Sequence, residues 1–334
     1  MAATAFLALP LRGRWSTRGL WLFRRLLAGA AMLLIVSMLI FAATQALPGD
    51  VAQMVLGKEA SPEQLAVVRE RLHVDAPLPV QYWAWLRGVL AGAPGQSLVT
   101  GLPVWDMMAQ RVVNSFTIVI LSTALALPTG ILLGAASARN RDGGLDRVLL
   151  ALSMAVNALP EFVLAMLLVV VFSISVVHWL PAVSVLTPGV PLWRQGEALV
   201  LPVATMFLLQ ATYLYRLVRA SLIDVLDSEY IELAVLKGLP ARRVLLRHAL
   251  PNAIVPAVQA TATIFAYSVG GLVVVEYVFG FPGIGTALTD AVGNRDVPVV
   301  QFVVVLIAAT FFVANLVADV LALALSPPGR SGPG

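Results

Sequence analysis

An all-α membrane fold is what this sequence predicts, with six transmembrane helices and both termini on the cytoplasmic side. Three observations carry that expectation. The 334-residue chain is 59% hydrophobic and only 12% charged, with a mean hydropathy of +0.89. Soluble domains carry about a quarter charged residues, and a water-soluble fold of this length has too little interior to hide so much apolar surface. Six stretches, free or nearly free of charge, reach the ~20 residues that cross a hydrocarbon core as a helix. Basic residues, finally, collect on alternate connections between those stretches.

The first span is read at residues 26–49, between Arg25 and Asp50. Its basic flank and Thr44-Gln45-Ala46 also suit a cleaved signal, but the run exceeds the ~7–15 apolar residues of such a signal, so an uncleaved helix is expected. The second span is read at 112–138, between Arg111 and Arg139, and the third at 148–177, interrupted by Glu161. The fourth runs over 198–215 and the sixth over 297–318, ending at Asp319. The fifth is read at 249–275, with its first residues assigned to the preceding loop because of Pro251 and Pro256.

Six spans place both ends of the chain on one side, and the positive-inside rule chooses it. Arg12, Arg14, Arg18, Arg24 and Arg25 precede the first span; Arg139, Arg141 and Arg147 follow the second. Arg216, Arg219, Lys237, Arg242, Arg243 and Arg247 follow the fourth, and Arg330 lies in the tail. That makes fifteen basic residues against seven on the other side, so the richer side is cytoplasmic. The expected organisation is a cytoplasmic segment 1–24, a transmembrane domain 25–326 with an external loop 50–110, and a flexible tail 327–334. Pro, Gly and Arg content marks 1–20 and 326–334 as disordered.

Within the external loop, Ser61-Pro62-Glu63 reads as a helix start, with Leu65, Val68 and Leu72 on one face. Pro77 and Pro79 end that helix. Residues 81–90 form a second amphipathic helix whose Tyr82, Trp83 and Trp85 suit a membrane interface. This loop is expected to cap the outer mouth of the bundle.

Several chemistries are excluded or disfavoured. The absence of cysteine removes disulfides, thiolate nucleophiles and Cys-ligated metals. His73, His178 and His248 are far apart, which argues against a metal site or a Ser/His/Asp constellation. Basic residues are scattered over short loops and form no nucleic-acid patch. No G-x-x-x-x-G-K-[S/T] stretch occurs, so the chain has no P-loop of its own.

The most informative stretch is residues 229–251, EYIELAVLKGLPARRVLLRHALP, a charged block between two apolar spans. Ile231, Ala234 and Val235 recur at helical spacing, as do Val244, Leu245 and His248. Gly238 followed by Leu239-Pro240 stops one helix and turns the chain; Ala241-Arg242-Arg243 starts the next. The result is a helix–turn–helix in a 217–255 loop, with Ala234 small enough to let another surface come close. On charge alone the block reads as a solvated loop, basic because of its side of the membrane.

The spacing of Glu232, Ala234 and Gly238, closed by Leu250-Pro251, resembles the cytoplasmic "EAA" coupling loop of the membrane subunits of binding-protein-dependent ABC importers. The resemblance covers residues 24–320. It includes Arg24-Arg25-Leu26-Leu27, Leu47-Pro48-Gly49-Asp50, Pro77-Leu78-Pro79-Val80-Gln81-Tyr82, Leu159-Pro160-Glu161-Phe162, His248-Ala249-Leu250-Pro251-Asn252-Ala253 and the stretch 275–285. It is most similar to the first permease subunit of the dipeptide/oligopeptide/nickel branch. Two departures stand out: His248 occupies a place that is apolar in the general loop pattern, and Ser326-Pro327-Pro328 replaces an acidic-Pro-Arg ending.

The resemblance implies a multi-pass permease of a bacterial inner membrane, not itself an enzyme and without a cofactor of its own. It implies a second homologous permease, two ATP-binding subunits that hold ATP and Mg, and an extracytoplasmic substrate-binding protein. Glu232, Ala234, Gly238, Leu239, Arg242, Arg243, Leu250 and Pro251 are the expected ATPase-coupling residues. ATP-driven closure of the ATPases would move the loop as a lever and switch the pore from inward- to outward-facing. Peptide is the expected cargo; nickel chelate or glycoside on the same machine, an ion-coupled secondary transporter and a membrane-embedded hydrolase are the rivals.

Polar groups inside the spans are candidates for a pathway or gate, because burying them in hydrocarbon is costly. Glu161 follows Pro160 near the middle of the third span, where the proline predicts a kink. Two readings stand, a pathway carboxylate or a structural group paired with a neighbouring helix. Gln210 is a further pathway candidate, or with Asn114, Asn157 and Asn315 joins helices by hydrogen bonds. Asp319 is a solvated or Arg-paired end group. Glu276 and Phe279 adjoin the Gly/Pro-rich stretch 279–285, read equally as a re-entrant outer gate or a turn-rich loop. Gly270 and Gly271, with Thr261, Ala262, Thr263, Ala266 and Ser268, either tighten packing of the fifth span or line the pore.

Overall fold

The computed structural model describes residues 13–46, 61, 76–175, 178–187 and 189–325. The helix start at Ser61-Pro62-Glu63 with Leu65, Val68 and Leu72, the Leu47-Pro48-Gly49-Asp50 motif and the 326–334 tail lie outside the described residues. The described chain is helical, with five apolar helices long enough to cross a membrane and a bent pair that makes a sixth crossing if counted as one span.

The first helix, α1 (Gly13–Gln45), begins inside the stretch read as disordered from composition. It leans on the last, α10 (Val297–Leu325), and the contact needs a glycine: a Cβ on Gly29 would fall 1.7 Å from the Phe312 ring. Gln301 Nε2 donates to Thr44 Oγ1 at 2.7 Å, and Arg25 pairs with Asp319 at the other end of the same crossing. Helix α2 (Leu78–Leu90) starts on its prolines, with Pro79 in the first turn where a missing N–H costs nothing. Tyr82 hydrogen-bonds Ser37 at 2.8 Å and stacks edge-on with Phe41. Of its three expected interface aromatics, then, Tyr82 is spent on α1, and Trp83 is the exposed one.

The centre of the bundle is the crossing of α3 (Val104–Arg139) and α6 (Gly196–Leu226). Both overrun their expected spans: α3 shortens the 50–110 loop, and α6 carries Arg216 and Arg219 inside the helix. Gly130 and Gly134 sit one turn apart on the contact. A Cβ on the first would lie 2.6 Å from Leu214 Cβ, and on the second 2.8 Å from Val218 Cβ. Small residues at such spacing let two backbones meet, which is how helices gain packing energy where lipid removes the hydrophobic drive.

The third span corrects its sequence reading. Instead of one kinked helix over 148–177, the chain forms α4 (Gly144–Ala158) and α5 (Glu161–Val169), bent by 106°. Leu159 is extended, at φ −87° and ψ 134°, as steric clash with the ring of Pro160 requires. Pro160 therefore ends one helix and starts another, and a wide turn (Val170–Ser175) continues α5. Helix α7 (Glu229–Leu236) and the long α8 (Ala241–Phe279) follow, joined at Gly238 with φ +76°. The helix that carries the fifth span thus begins eight residues before the predicted start, inside the charged block. Pro251 and Pro256 fall in it without ending it: a wide turn (Val244–Ala249) precedes Pro251 and relaxes the hydrogen-bond ladder the ring would break. Helix α9 (Ile284–Gly293) packs between α8 and α10.

Candidate functional site

Two places gather the residues singled out above. The first is the elbow formed by α7 and the start of α8. Ile231 and Ala234 turn inward and pack with Val244, Ala249 and Ala253 of α8 and with Leu222 of α6. Ala234 is buried against the chain's own helices. Asn252 Nδ2 donates to Tyr230 Oη at 3.1 Å and to the His248 carbonyl at 3.0 Å, tying the two arms. Gly238 occupies the left-handed region that a side chain rarely tolerates, and nothing crowds it. The outer face presents Tyr230, Leu233, Val235 and Leu236, the last 75% exposed. Glu232, Arg242, Arg243 and Pro251 are exposed beside it, while Leu239 and Leu250 are half-buried. None of the three charges has an ion pair among the described residues.

Above the elbow lies a charge network that sequence reasoning missed. Arg219 on α6 donates from Nε to Asp146 Oδ1 at 2.6 Å and from Nη2 to Oδ2 at 2.7 Å. Ser137 Oγ donates to the same carboxylate and meets Tyr215 Oη at 2.9 Å; the Asp142 amide adds a bond of 2.9 Å. Asp146 is 1% exposed, so this fork-on-fork pair joins α3, α4 and α6 in the interior. The sequence reading counts Arg219 only as a loop charge and does not single out Asp146; helical spacing of Arg219 with Tyr215, one turn apart, was the available sign.

The second place is a cleft of about 510 Å³ bounded by α4, α5, α6 and α8. Glu161, Gln210, Asn157, Tyr213, Tyr267 and Ser268 line it. Glu161 is half-buried in the first turn of α5, and its carboxylate lies over Gly271: a Cβ there would stand 2.6 Å from Oε2. Gln210 Nε2 donates to Ser268 Oγ at 2.9 Å and to Ser122 Oγ at 3.3 Å, so it does join three helices. The 106° break is what brings Glu161 and Gln210 together.

Glu276 and Phe279 do not line this cleft. Both are fully buried near the opposite end of α8. Glu276 Oε1 accepts from Ser115 Oγ at 2.5 Å, and Oε2 from the Gly285 amide at 2.6 Å at the start of α9. The carboxylate fills the space where side chains on 283 and 285 would sit: a Cβ on Gly283 would fall 2.0 Å from Oε1. Asn114 Nδ2 holds the Pro282 carbonyl at 2.8 Å. The 279–285 stretch is a packed turn in which Gly280 closes α8 at φ +58°.

The sequence matches the family of binding-protein-dependent transport system inner membrane components over residues 130–328, and the N-terminal region of such membrane components over 20–119. It is 38% identical over 310 residues to a glutathione transport system permease protein, GsiC, of Salmonella choleraesuis, covering 93% of this chain and 98% of the relative. It is 37% identical to the protein of that name in Pectobacterium atrosepticum, with the same coverage. A probable peptide ABC transporter permease protein, y4tP, of Sinorhizobium fredii is 34% identical over 311 residues, covering 92% of this chain and 98% of the relative.

Proposed function

This chain belongs to the family of binding-protein-dependent transport system inner membrane components, and from that premise we propose that it is the permease subunit of an ATP-driven importer of di- or oligopeptides. Peptide cargo is supported by the glutathione and peptide transport named for its relatives. A second permease of the same fold completes the pore, two ATP-binding subunits supply hydrolysis, and a binding protein delivers cargo from outside. Both termini and the elbow lie in the cytoplasm, where positive charge concentrates. The division into 1–24, 25–326 with loops 50–110 and 217–255, and 327–334 follows from that orientation.

The single observation that carries the coupling role is the elbow's shape. One face of α7 is packed into the bundle, and the other presents Tyr230, Leu233, Val235 and Leu236 to whatever lies beyond. A short helix with one apolar face free is the form that docks into a partner's groove. Glu232, Arg242 and Arg243 rim that face with unpaired charge. The elbow acts as a lever only if it binds the ATPases differently in their open and closed states, since equal affinity shifts no equilibrium. The double change Glu232→Arg with Gly238→Leu reverses the one acidic charge of the rim and removes the turn geometry together. In the assembled importer it abolishes peptide uptake while the chain stays folded in the membrane; uptake at the wild-type rate overturns the coupling role.

A further inference from the structure

We propose, building on the peptide-import reading, that the cleft between α5, α6 and α8 is a transit site for a primary ammonium group, the free N-terminus of the cargo. Its wall carries one carboxylate among amide, hydroxyl and apolar side chains. Glu161 is the one charged side chain among the residues that line it, and no arginine, lysine or histidine stands with it. No hydrogen bond or ion pair reaches Glu161 from the described residues, although it is half-buried in a membrane helix where an uncompensated carboxylate is costly.

A second acceptor stands free independently of it. Gln210 is 4% exposed, and with Nε2 committed to Ser268 and Ser122 its Oε1 is buried without a partner. Buried acceptors rarely stay unpaired, because the desolvated group forfeits its water bonds. Asn157 also lines the cleft, its Nδ2 donating to the Ser153 carbonyl at 2.9 Å and to Thr212 Oγ1 at 2.7 Å.

One carboxylate in a cleft otherwise lined by neutral amide, hydroxyl and apolar side chains matches a cation that brings several N–H donors. It does not match a bare metal, since no cluster of three His, Asp or Glu occurs among the described residues. The volume, about 510 Å³, falls within the ~300–1,000 Å³ typical of small-molecule sites. Gly271 leaves the carboxylate its seat.

The test uses the complete importer in proteoliposomes at saturating, fully loaded binding protein, with trialanine and N-acetyl-trialanine as cargo, loading of each being measured separately. Wild type moves trialanine faster than its acetylated form. Glu161→Gln lowers trialanine uptake about tenfold, the loss of one charge-assisted hydrogen bond, and brings the ratio of the two cargoes toward one. Glu161→Asp keeps most of the preference, and Gly271→Ala, which retains the charge but displaces it, loses it. A preference unchanged in Glu161→Gln overturns the site.

Should wild type move neither peptide, the peptide reading fails, and methylammonium decides the site separately. Saturation-transfer NMR on the complex then shows binding to wild type and not to Glu161→Gln if the site stands, and equal signals if it does not.

Discussion

Arg219 and Asp146 are 73 positions apart in the chain, yet the two form a bidentate ion pair. The pair is interior, so its value is asymmetric. Two charges that leave water together recover much of their desolvation cost from each other, but one left alone recovers none. Asp146→Asn or Arg219→Met should therefore each lower stability by about 3–5 kcal/mol. A double apolar replacement, Asp146→Leu with Arg219→Met, should cost less than the two single changes combined. The thermal midpoint of the purified protein in detergent measures all three, and additive losses would show that the pair does not act as a unit. Nothing in the order of residues announces this contact, because it depends on α4 folding back along α6. Glu161 could be seen in the sequence as an anomaly, since one acid in a long apolar run is conspicuous, whereas its neighbours in the cleft could not.

At the level of elements, the sequence displays composition more clearly than direction. The six apolar runs were visible because a helix crossing hydrocarbon must satisfy its backbone internally and cover itself with apolar side chains. The elbow was visible because Gly238 and Leu239-Pro240 are local turn chemistry. The size of the break after Leu159 was not, since a proline permits a mild kink or a full reversal and only packing of α5 on α6 and α8 selects the 106° bend. Pro251 misled in the opposite sense: it suggested an end to helix where a wide turn upstream absorbs it. The α3–α6 crossing offers the sharpest test at this scale. Gly130→Ala with Gly134→Ala places methyls within 2.6 Å and 2.8 Å of Leu214 Cβ and Val218 Cβ. Overpacking of this kind costs about 1–3 kcal/mol, so the double variant should unfold at lower temperature and pack α3 farther from α6. An unchanged midpoint would mean that the crossing is not close-packed.

Taken whole, the subunit leaves open, among the described residues, the apolar outer face of the elbow and the cleft that holds Glu161. Surfaces of both kinds mark places where another chain or a ligand belongs. In the proposed assembly, expression without the second permease and the ATPases should shorten the chain's lifetime in the membrane several-fold, a difference that pulse–chase labelling reads directly. Equal lifetimes would indicate a subunit complete by itself. One geometric feature sets how such an assembly behaves. Helix α8 runs through 39 residues, its wide turn included; its regular part Val255–Phe279 alone, 25 residues at 1.5 Å each, is about 37 Å, more than the ~30 Å of hydrocarbon. The whole helix is gripped at Ser268 by Gln210, closer to its Phe279 end than to its start at Ala241; the long arm reaches the elbow, and the short arm holds the Glu276 carboxylate. A body pinned between its ends is a lever with unequal arms: a nudge at the long arm reappears at the short one reversed in sign and reduced. Opening on one side and sealing on the other would then be a single motion about one fulcrum, with no signal to pass between two gates.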